Sequence, residues 1–455
     1  MAQFSVFALN PKTGSTRKFL YDNMDSSLLD ESGESVVSII EKQVTRDKAP
    51  NPISITTPGR KISPKTLKIS LGLSCNYECE YCSQRFVPRA SETNPNDVEG
   101  FIAGLDTWVT APPEKIEFWG GEPMVYIKSL VPLAERLRAK FPLTEFSIIT
   151  NGSLLSKEIN AWLDRMGFSV GLSHDGPGQS VRGPDPLDDP EKRASILDLY
   201  ARLAPQGRMS FNTMMNRHNM SRAEVVAFFV TLTKDPMVQI GEGGIVDAYD
   251  AGGFESSLKS DEFFKYRNTA FGEIRTGRAS NFGVVRAKVA SFVNSLRLKR
   301  PASGLGQKCS MDRDDNLAVD LKGNILTCQN TSVAAIAPNG KSHKIGHVSE
   351  LAKVELNTAT HWSYRHECPS CPMLQICQGA CMFLEGPLWE TTCDNAYSDA
   401  VPVFAAGIEF LTGFVPVLIE GDFRQDRKDL FGGFSKSADT ESVPRKPFPI
   451  PVVSA

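Results

Sequence analysis

Three cysteines, Cys75, Cys79 and Cys82, fall within the stretch LSCNYECEYCSQ, spaced C-x3-C-x2-C. Thiolates are soft ligands that select iron–sulfur clusters, zinc or copper(I). A structural zinc takes four closed ligands, and this loop supplies three. On a cubane, three thiolates leave one iron with an open position where a small molecule can bind. Tyr77 and Tyr81, between the cysteines, either shield such a cluster from water or pack locally. The other seven of the ten cysteines lie between 309 and 393. Cys309 is followed by thirteen residues, Gly323, four residues and Cys328; Cys368, Cys371, Cys377 and Cys381 then run C-x2-C-x5-C-x3-C, and Cys393 follows after eleven more. A C-x2-C pair alone favours zinc. Seven thiols, however, are too many for one site and too few for two closed four-cysteine sites. The opening MAQFSVFALNPKTG has no basic stretch leading into an apolar run, so a cytoplasmic location is expected. Thiols stay reduced there, which favours metal or cluster ligation over disulfides.

The chain has 455 residues, 41% hydrophobic and 23% charged, enough for two or three domains with ample core. A net charge of −3 provides no basic field to recruit nucleic acid or anionic lipid. One apolar run, 401–420, carries Glu409 inside and Pro402 and Pro416 near its ends, and reads as a buried packing segment rather than a membrane span.

The three-cysteine loop must be positioned by what precedes it. In TLKISLGLS, Leu67, Ile69, Leu71 and Leu73 alternate as a strand does. Asn94-Pro95 then reads as a helix start, with Val98, Phe101, Ile102, Leu105 and Trp108 on one face. Five further strands, within KIEFWGGEP, EFSIITNG, FSVGLSHDGP, MSFNTMMN and MVQIGEG, alternate with helical segments, one opened by the capping pair Ser221 and Glu224. Six β/α units in series predict an α/β fold, a partial (β/α)6 TIM-type barrel, with a doubly wound sheet as the alternative. A small cysteine-rich domain, held by metal or iron–sulfur cluster ligation, is expected to follow it. The expected boundaries are 1–65 for an N-terminal region of unassigned role, 66–300 for the barrel, 301–400 for the cysteine-rich domain and 401–455 for a packing segment and mobile tail. APNPISITTPGRKISP reads as a linker, and SKSADTESVPRKPFPIPVVSA as the tail.

Barrel enzymes gather their functional residues at the C-terminal ends of the strands. Here those ends carry the cysteine loop, then WGGEP with Gly120, Gly121 and Glu122, then TNGS, then SHDGP with His174 and Asp175. Glycines let backbone approach a ligand closely, and the exposed amides with Glu122 suit an amino-acid-like group. His174 is a candidate for proton transfer, and Glu242, ending strand six, for a general base.

The cysteine loop after strand one and G-G-E-P after strand two resemble the radical S-adenosylmethionine (radical SAM) superfamily, over roughly 66–290. The resemblance implies a [4Fe–4S] cluster on Cys75, Cys79 and Cys82 whose fourth iron is chelated by the amino and carboxylate groups of SAM. Reductive cleavage of SAM to a 5′-deoxyadenosyl radical, which abstracts a substrate hydrogen, is then expected. Gly120, Gly121 and Glu122 would meet the SAM amine, Ser173 and Asp175 its ribose, and Arg182 or Arg193 its carboxylate. GQSVRGPDP departs from the family's usual wording after D-G-P. The seven-cysteine region resembles the SPASM extension of radical SAM enzymes that modify peptides and proteins. By position, Cys368, Cys371, Cys377 and Cys393 would hold one auxiliary [4Fe–4S] cluster fully. Cys309, Cys328 and Cys381 would hold a second, with one iron lacking a cysteine. His366 and Asp312 are the candidates for a non-cysteine ligand there; His343, His347 and His361 also flank the region.

Three readings follow. The first is a SPASM-type maturase acting on a peptide or protein side chain, with an external flavodoxin- or ferredoxin-type electron donor and no nucleic-acid or membrane partner. The second is an anaerobic sulfatase-maturase-like enzyme forming formylglycine. The third is a zinc-stabilised binding protein without catalysis.

Overall fold

The computed structural model describes residues 3–40, 59–60, 63–90, 92–247, 251–356, 360–428, 431 and 433–434. Most of the expected linker and all of the expected tail lie outside the described residues.

The chain opens with an antiparallel meander of β1 (Gln3–Leu9), β2 (Thr16–Asp22) and β3 (Ser27–Leu29). Six parallel strands come next: β4 (Thr66–Ser70), β5 (Lys115–Trp119), β6 (Glu145–Thr150), β7 (Phe168–Ser173), β8 (Met209–Met215) and β9 (Ile240–Ile245), each hydrogen-bonded to the next in chain order. Helices α1 (Asp97–Gly104), α2 (Ile127–Lys140), α3 (Lys157–Arg165), α4 (Pro190–Leu203) and α5 (Arg222–Thr233) connect them, and α6 (Ala251–Ser256), α7 (Glu262–Thr276) and α8 (Gly283–Arg297) follow. This sequential parallel order is that of a partial barrel, as expected.

Alternation along each strand sorts the side chains by face. Phe118, Phe146 and Phe168 meet edge-on or tilted, and Phe168 packs on Trp162 of α3, so these positions seal the sheet against the helices. The residues between them, Glu117, Ser147, Ser169 and Ser210, are half-buried on the inner face. Small polar side chains there leave the lumen hollow.

Helix starts follow their caps. Ser156 and Ser221 accept the backbone N–H three residues on, at 3.3 and 3.1 Å, and Asp189 caps α4 ahead of Pro190. The Asn94-Pro95 start is displaced: α1 begins at Asp97, behind Asn96. The Asn94 side chain accepts the Asn96 N–H at 2.9 Å, and Asp97 accepts the Asn94 N–H at 3.1 Å. That local turn takes up the residues before the helix.

The cysteine-rich region is welded to the barrel. β10 (Asn316–Asp320) pairs in parallel with β4, Leu317 opposite Leu67, and a hairpin of β11 (Asn324–Leu326) and β12 (Lys344–His347) extends the sheet to nine strands. Its apolar groups form two small clusters around thiols. Met311, Leu326 and Met382 pack with Cys328; Leu305, Trp362 and Trp389 pack with Cys368. The one-turn helix α9 (Leu374–Cys377) precedes α10 (Gly386–Thr412).

The α10 residues Val401–Ile408 are buried, and Glu409 accepts from Arg275 at 3.0 Å, which accounts for a carboxylate inside the apolar run. The run then turns into β13 (Val415–Glu420), which pairs antiparallel with β1. The first and last described strands thus share a four-stranded sheet, in the order β13-β1-β2-β3. No helix among the described residues is long and apolar enough to cross a membrane.

The barrel and α10 are joined by a buried ionic centre. Asp399 accepts from Arg222 at 2.6 Å and from Tyr266 at 2.9 Å, and pairs with Lys288. Burial opposes the Asp399 charge, but Lys288 and Arg222 hold the carboxyl far below its ordinary range. Asp399→Ala leaves buried Arg222 without its counter-ion and is expected to cost about 3–5 kcal/mol, read as a lowered thermal midpoint relative to the parent.

Candidate active site

The loop from Leu73 to Cys82 has no regular structure, so its groups are satisfied from outside. At its entry Glu92 accepts the Leu73 N–H at 3.1 Å, and the Ser74 N–H donates at 2.7 Å to the Tyr126 hydroxyl, itself bonded to Glu92. From β5, Gly121 and Glu122 donate backbone N–H groups at 3.0 Å to the carbonyls of Gly72 and Ser74. A Cβ on Gly121 would stand 2.5 Å from both the Leu73 and Ser74 carbonyl oxygens, so this contact requires glycine. From β6, Asn151 donates to Asn76 at 2.9 Å, and Asn76 to Ser153 at 2.8 Å. From β7, the Asp175 carboxylate accepts from the Tyr81 hydroxyl at 2.7 Å and the Met214 N–H at 2.9 Å, while Arg182 donates to Tyr81 at 2.5 Å and lies 3.6 Å from Asp175. Burial pushes the Asp175 carboxyl up, against the pull of Arg182, Tyr81 and Met214.

These contacts say what several anticipated residues do in the protein itself. The Glu122 carboxylate is 1% exposed and accepts from Met124 N–H, Thr150 hydroxyl and Asn151 N–H at 3.0, 2.7 and 2.7 Å, bracing the end of β5 to that of β6. Gly120 and Gly121 give the loop its close seat. Ser173 ends β7 and pairs with Asn212. His174 is fully buried; its Nδ1 accepts the Gly176 N–H at 2.9 Å, so Nε2 donates to Asp185 at 3.0 Å, and its ring stacks on Phe228. Arg193 is exposed on α4. Tyr81 serves as the link to Asp175 and Arg182, and Tyr77 bonds the Pro184 carbonyl at 2.7 Å. The bracing roles of Glu92, Tyr126 and Asn76 had no sequence signal; Asn151 and Ser153 sat in the noted TNGS stretch.

All ten cysteines are free thiols. Burial pushes Cys79 up to about 11, Arg182 opposes, and Cys82 and Cys75 add to the rise. Burial likewise pushes Cys328 up to about 12, with Cys381 and Cys309 adding and Lys68 opposing. Burial raises Cys368, and Cys377, Cys371 and Cys393 raise it further. Thiols that disfavour one another's charge this way are neighbours, and the chain gathers them as three, three and four. Among the described residues no three His, Cys, Asp or Glu side chains are placed to hold a single metal ion; the thiols stand in looser groups. Soft, buried sulfur donors in such groups fit iron–sulfur clusters.

The second group of three thiols opens into the barrel. A cavity of about 860 Å³ is lined by inner-face residues of every strand from β4 to β9, including Lys68, Glu117, Asn212 and Glu242, and by Cys309, Cys328 and Cys381. Lys68 sits 3.6 Å from Glu117, over Trp119, and bonds Gln329 at 3.3 Å. Glu117 is held below its usual value: burial opposes, but Lys68, the Trp119 indole N–H and Lys115 outweigh it. Glu242 faces this cavity at φ +59°, a left-handed conformation costly for a non-glycine residue.

The flanking polar groups separate clearly. His343 bonds Thr327 at 2.6 Å, His347 bonds Ser349 at 2.8 Å, and His366 is exposed. Asp312 is 1% exposed; it accepts the Gln307 N–H at 3.0 Å and lies 3.4 Å from His361, while its Oδ1 has no partner.

Comparison with known proteins agrees with this site. Residues 69–230 match the model of the radical SAM superfamily. The serine-type anaerobic sulfatase-maturating enzyme of Klebsiella pneumoniae is 23% identical over 343 residues, covering 68% of this chain and 80% of that protein. The radical SAM cyclopropyl synthase TigE of Paramaledivibacter caminithermalis is 24% identical over 173 residues, 34% of this chain and 36% of that protein. In fold, the structure of native anSMEcpe with bound AdoMet and Cp18Cys peptide superposes with a TM-score of 0.52 at 17% identity, over 76% of this chain and 99% of that one. Residues 69–230 therefore form a radical SAM domain, and the protein is an enzyme. The seven-cysteine region lies beyond the matched residues and keeps its resemblance in spacing to the SPASM extension.

Gly121→Ala is expected to push the three-cysteine loop off its seat. Reconstituted protein should lose one cubane's worth of iron and acid-labile sulfide, with the rest retained.

Proposed function

We propose that this enzyme modifies a side chain of a peptide or protein within the barrel lumen. The observation that carries the reading is the cavity itself. At about 860 Å³ it has the size of a ligand site and runs along the inner faces of the strands to the thiols of Cys309, Cys328 and Cys381. Hollow barrels of this kind need small inner-face residues, and Ser147, Ser169, Gly171 and Ser210 supply them. The likeness over most of the chain to a sulfatase-maturating enzyme, which acts on a protein, supports a polypeptide substrate. So does the peptide bound in the structurally similar anSMEcpe.

Cys75, Cys79 and Cys82 would hold the SAM-binding [4Fe–4S] cluster. Cys368, Cys371, Cys377 and Cys393 would hold one auxiliary cluster, and Cys309, Cys328 and Cys381 a second, facing the lumen. Bound together, the first cluster and SAM supply the 5′-deoxyadenosyl radical. The chain's own residues do the rest. The Glu92, Tyr126 and Tyr81–Asp175–Arg182 contacts fix the loop, the strands enclose the substrate, and Glu242 stands at the cavity wall as the candidate base. Formylglycine formation is the second reading, favoured by the sulfatase-maturase relative. A flavodoxin- or ferredoxin-type donor would supply the electron.

The test is incubation of reduced enzyme and SAM with peptides encoded beside its gene, with a serine- or cysteine-containing sulfatase peptide, and with small metabolites. A mass change in a neighbouring peptide supports the first reading, and loss of two hydrogens from the sulfatase serine the second. Turnover of a metabolite alone overturns both. Replacing Cys75, Cys79 and Cys82 together by Ala should abolish 5′-deoxyadenosine formation while iron in the remaining clusters persists. Glu242→Gly is expected to relieve the strained backbone, raising stability by about 1 kcal/mol, measured by chemical denaturation. The same change should lower product formation by about a hundredfold, the scale of a lost general base.

A further inference from the structure

The four-cysteine group is approached by a cation from outside the cysteine-rich region. Arg427, in the short turn Gln425–Arg427 after β13, is only 5% exposed. Its Nη2 donates to the Cys393 sulfur at 3.3 Å and to Asp394, and its guanidinium lies 4.6 Å from the centre of the Tyr397 ring. It lines the same small hollow as Cys368, Cys371, Cys377 and Cys393. Its charge also reaches Cys371. Other charged groups facing these thiols are Glu367, which lines the same hollow, Arg365, which stacks on Trp389 at 4.4 Å, and Asp394, which is shared with Arg424 at 3.2 Å.

A buried arginine spends desolvation to be there, and packing alone does not require its N–H to point at sulfur. The one-electron reduction of a [4Fe–4S] cluster adds negative charge that spreads over its sulfurs, with no proton taken up. A fixed cation and an N–H···S bond favour that reduced form, and hydrogen bonding to sulfur is a main determinant of cluster potential. We propose that Arg427 raises the reduction potential of the cluster at Cys368, Cys371, Cys377 and Cys393. The inference rests on the assignment of a cluster to these four thiols.

The test uses the full chain with Cys75, Cys79 and Cys82 replaced by Ala, so that auxiliary clusters alone contribute. After anaerobic reconstitution, the protein is titrated with dithionite as electron source and followed by electron paramagnetic resonance. Arg427→Gln should lower one of the midpoint potentials and leave the other where it was. Arg427→Lys should recover part of the loss by restoring charge without the fork of donors. Asp394→Asn should move the same midpoint upward, because it removes the anion that offsets Arg427. Opposite signs for the two changes cannot come from general loosening of the site. Unchanged midpoints in Arg427→Gln and in Asp394→Asn, with iron content intact, overturn the proposal. Should Arg427→Gln fail to retain its cluster, the Asp394→Asn midpoint decides alone. Iron content that is unaffected when Cys368 and Cys371 become Ala overturns the cluster assignment itself, and the proposal with it.

Discussion

A loop without secondary structure cannot hold three thiols at fixed spacing by its own backbone. It must borrow rigidity, and the barrel rim is arranged around that need. The knot of Tyr81, Asp175 and Arg182 is the central loan: a phenol hydroxyl between a buried carboxylate and a buried guanidinium. It ties the far end of the loop to β7, while the Gly121 and Glu122 amides tie its near end to β5. Conserving charge inside the protein also matters. Arg182 offsets Asp175 and lies close enough to Cys79 to oppose the rise of its thiol. The rim thereby keeps a cation near sulfur that must become anionic to bind iron.

The lumen follows from the opposite economy. Typical barrels fill their centre with branched side chains. Here the inner layers carry serine, glycine and asparagine, with the salt-linked Lys68–Glu117 pair across two strands. Apolar burial is transferred to the outer faces, where Phe118, Phe146, Phe168 and Trp162 pack ring on ring. A hollow centre is therefore compatible with a well-sealed sheet.

Much of this was legible from residue type and period. The six strands, the helix behind Ser221, and the grouping of the thiols follow from alternation, capping and spacing, because each is a local rule. The parallel docking of β10 on β4 was not legible: NLAVD is five residues long and wholly buried, so it lacks the alternation that marks a half-buried strand. The shift of α1 to Asp97 reflects side-chain turns competing with a helix start. At the site, motif residues were found but not always their work. Glu122 is spent on Thr150 and Asn151, and His174 is locked by Asp185 and a backbone amide. Glu92 and Tyr126 act through folds of the chain that no spacing reveals.

The pairing of β1 with β13 bears on the order in which the chain assembles. Ser5 lies opposite Glu420, and closing a loop of about 400 residues costs on the order of 5 kcal/mol in chain entropy. The pairing of β10 with β4 shortens that loop, so the terminal sheet closes at a smaller entropic cost where the barrel and the cysteine-rich region are already joined. Asn23, just past β2, then donates to the carbonyls of Pro369 and Cys371 at 3.1 and 2.7 Å, and Gln375 donates back to it at 2.8 Å. The sheet acts as a clasp: its opening would bare the backbone beside the four-cysteine group while the barrel stays whole.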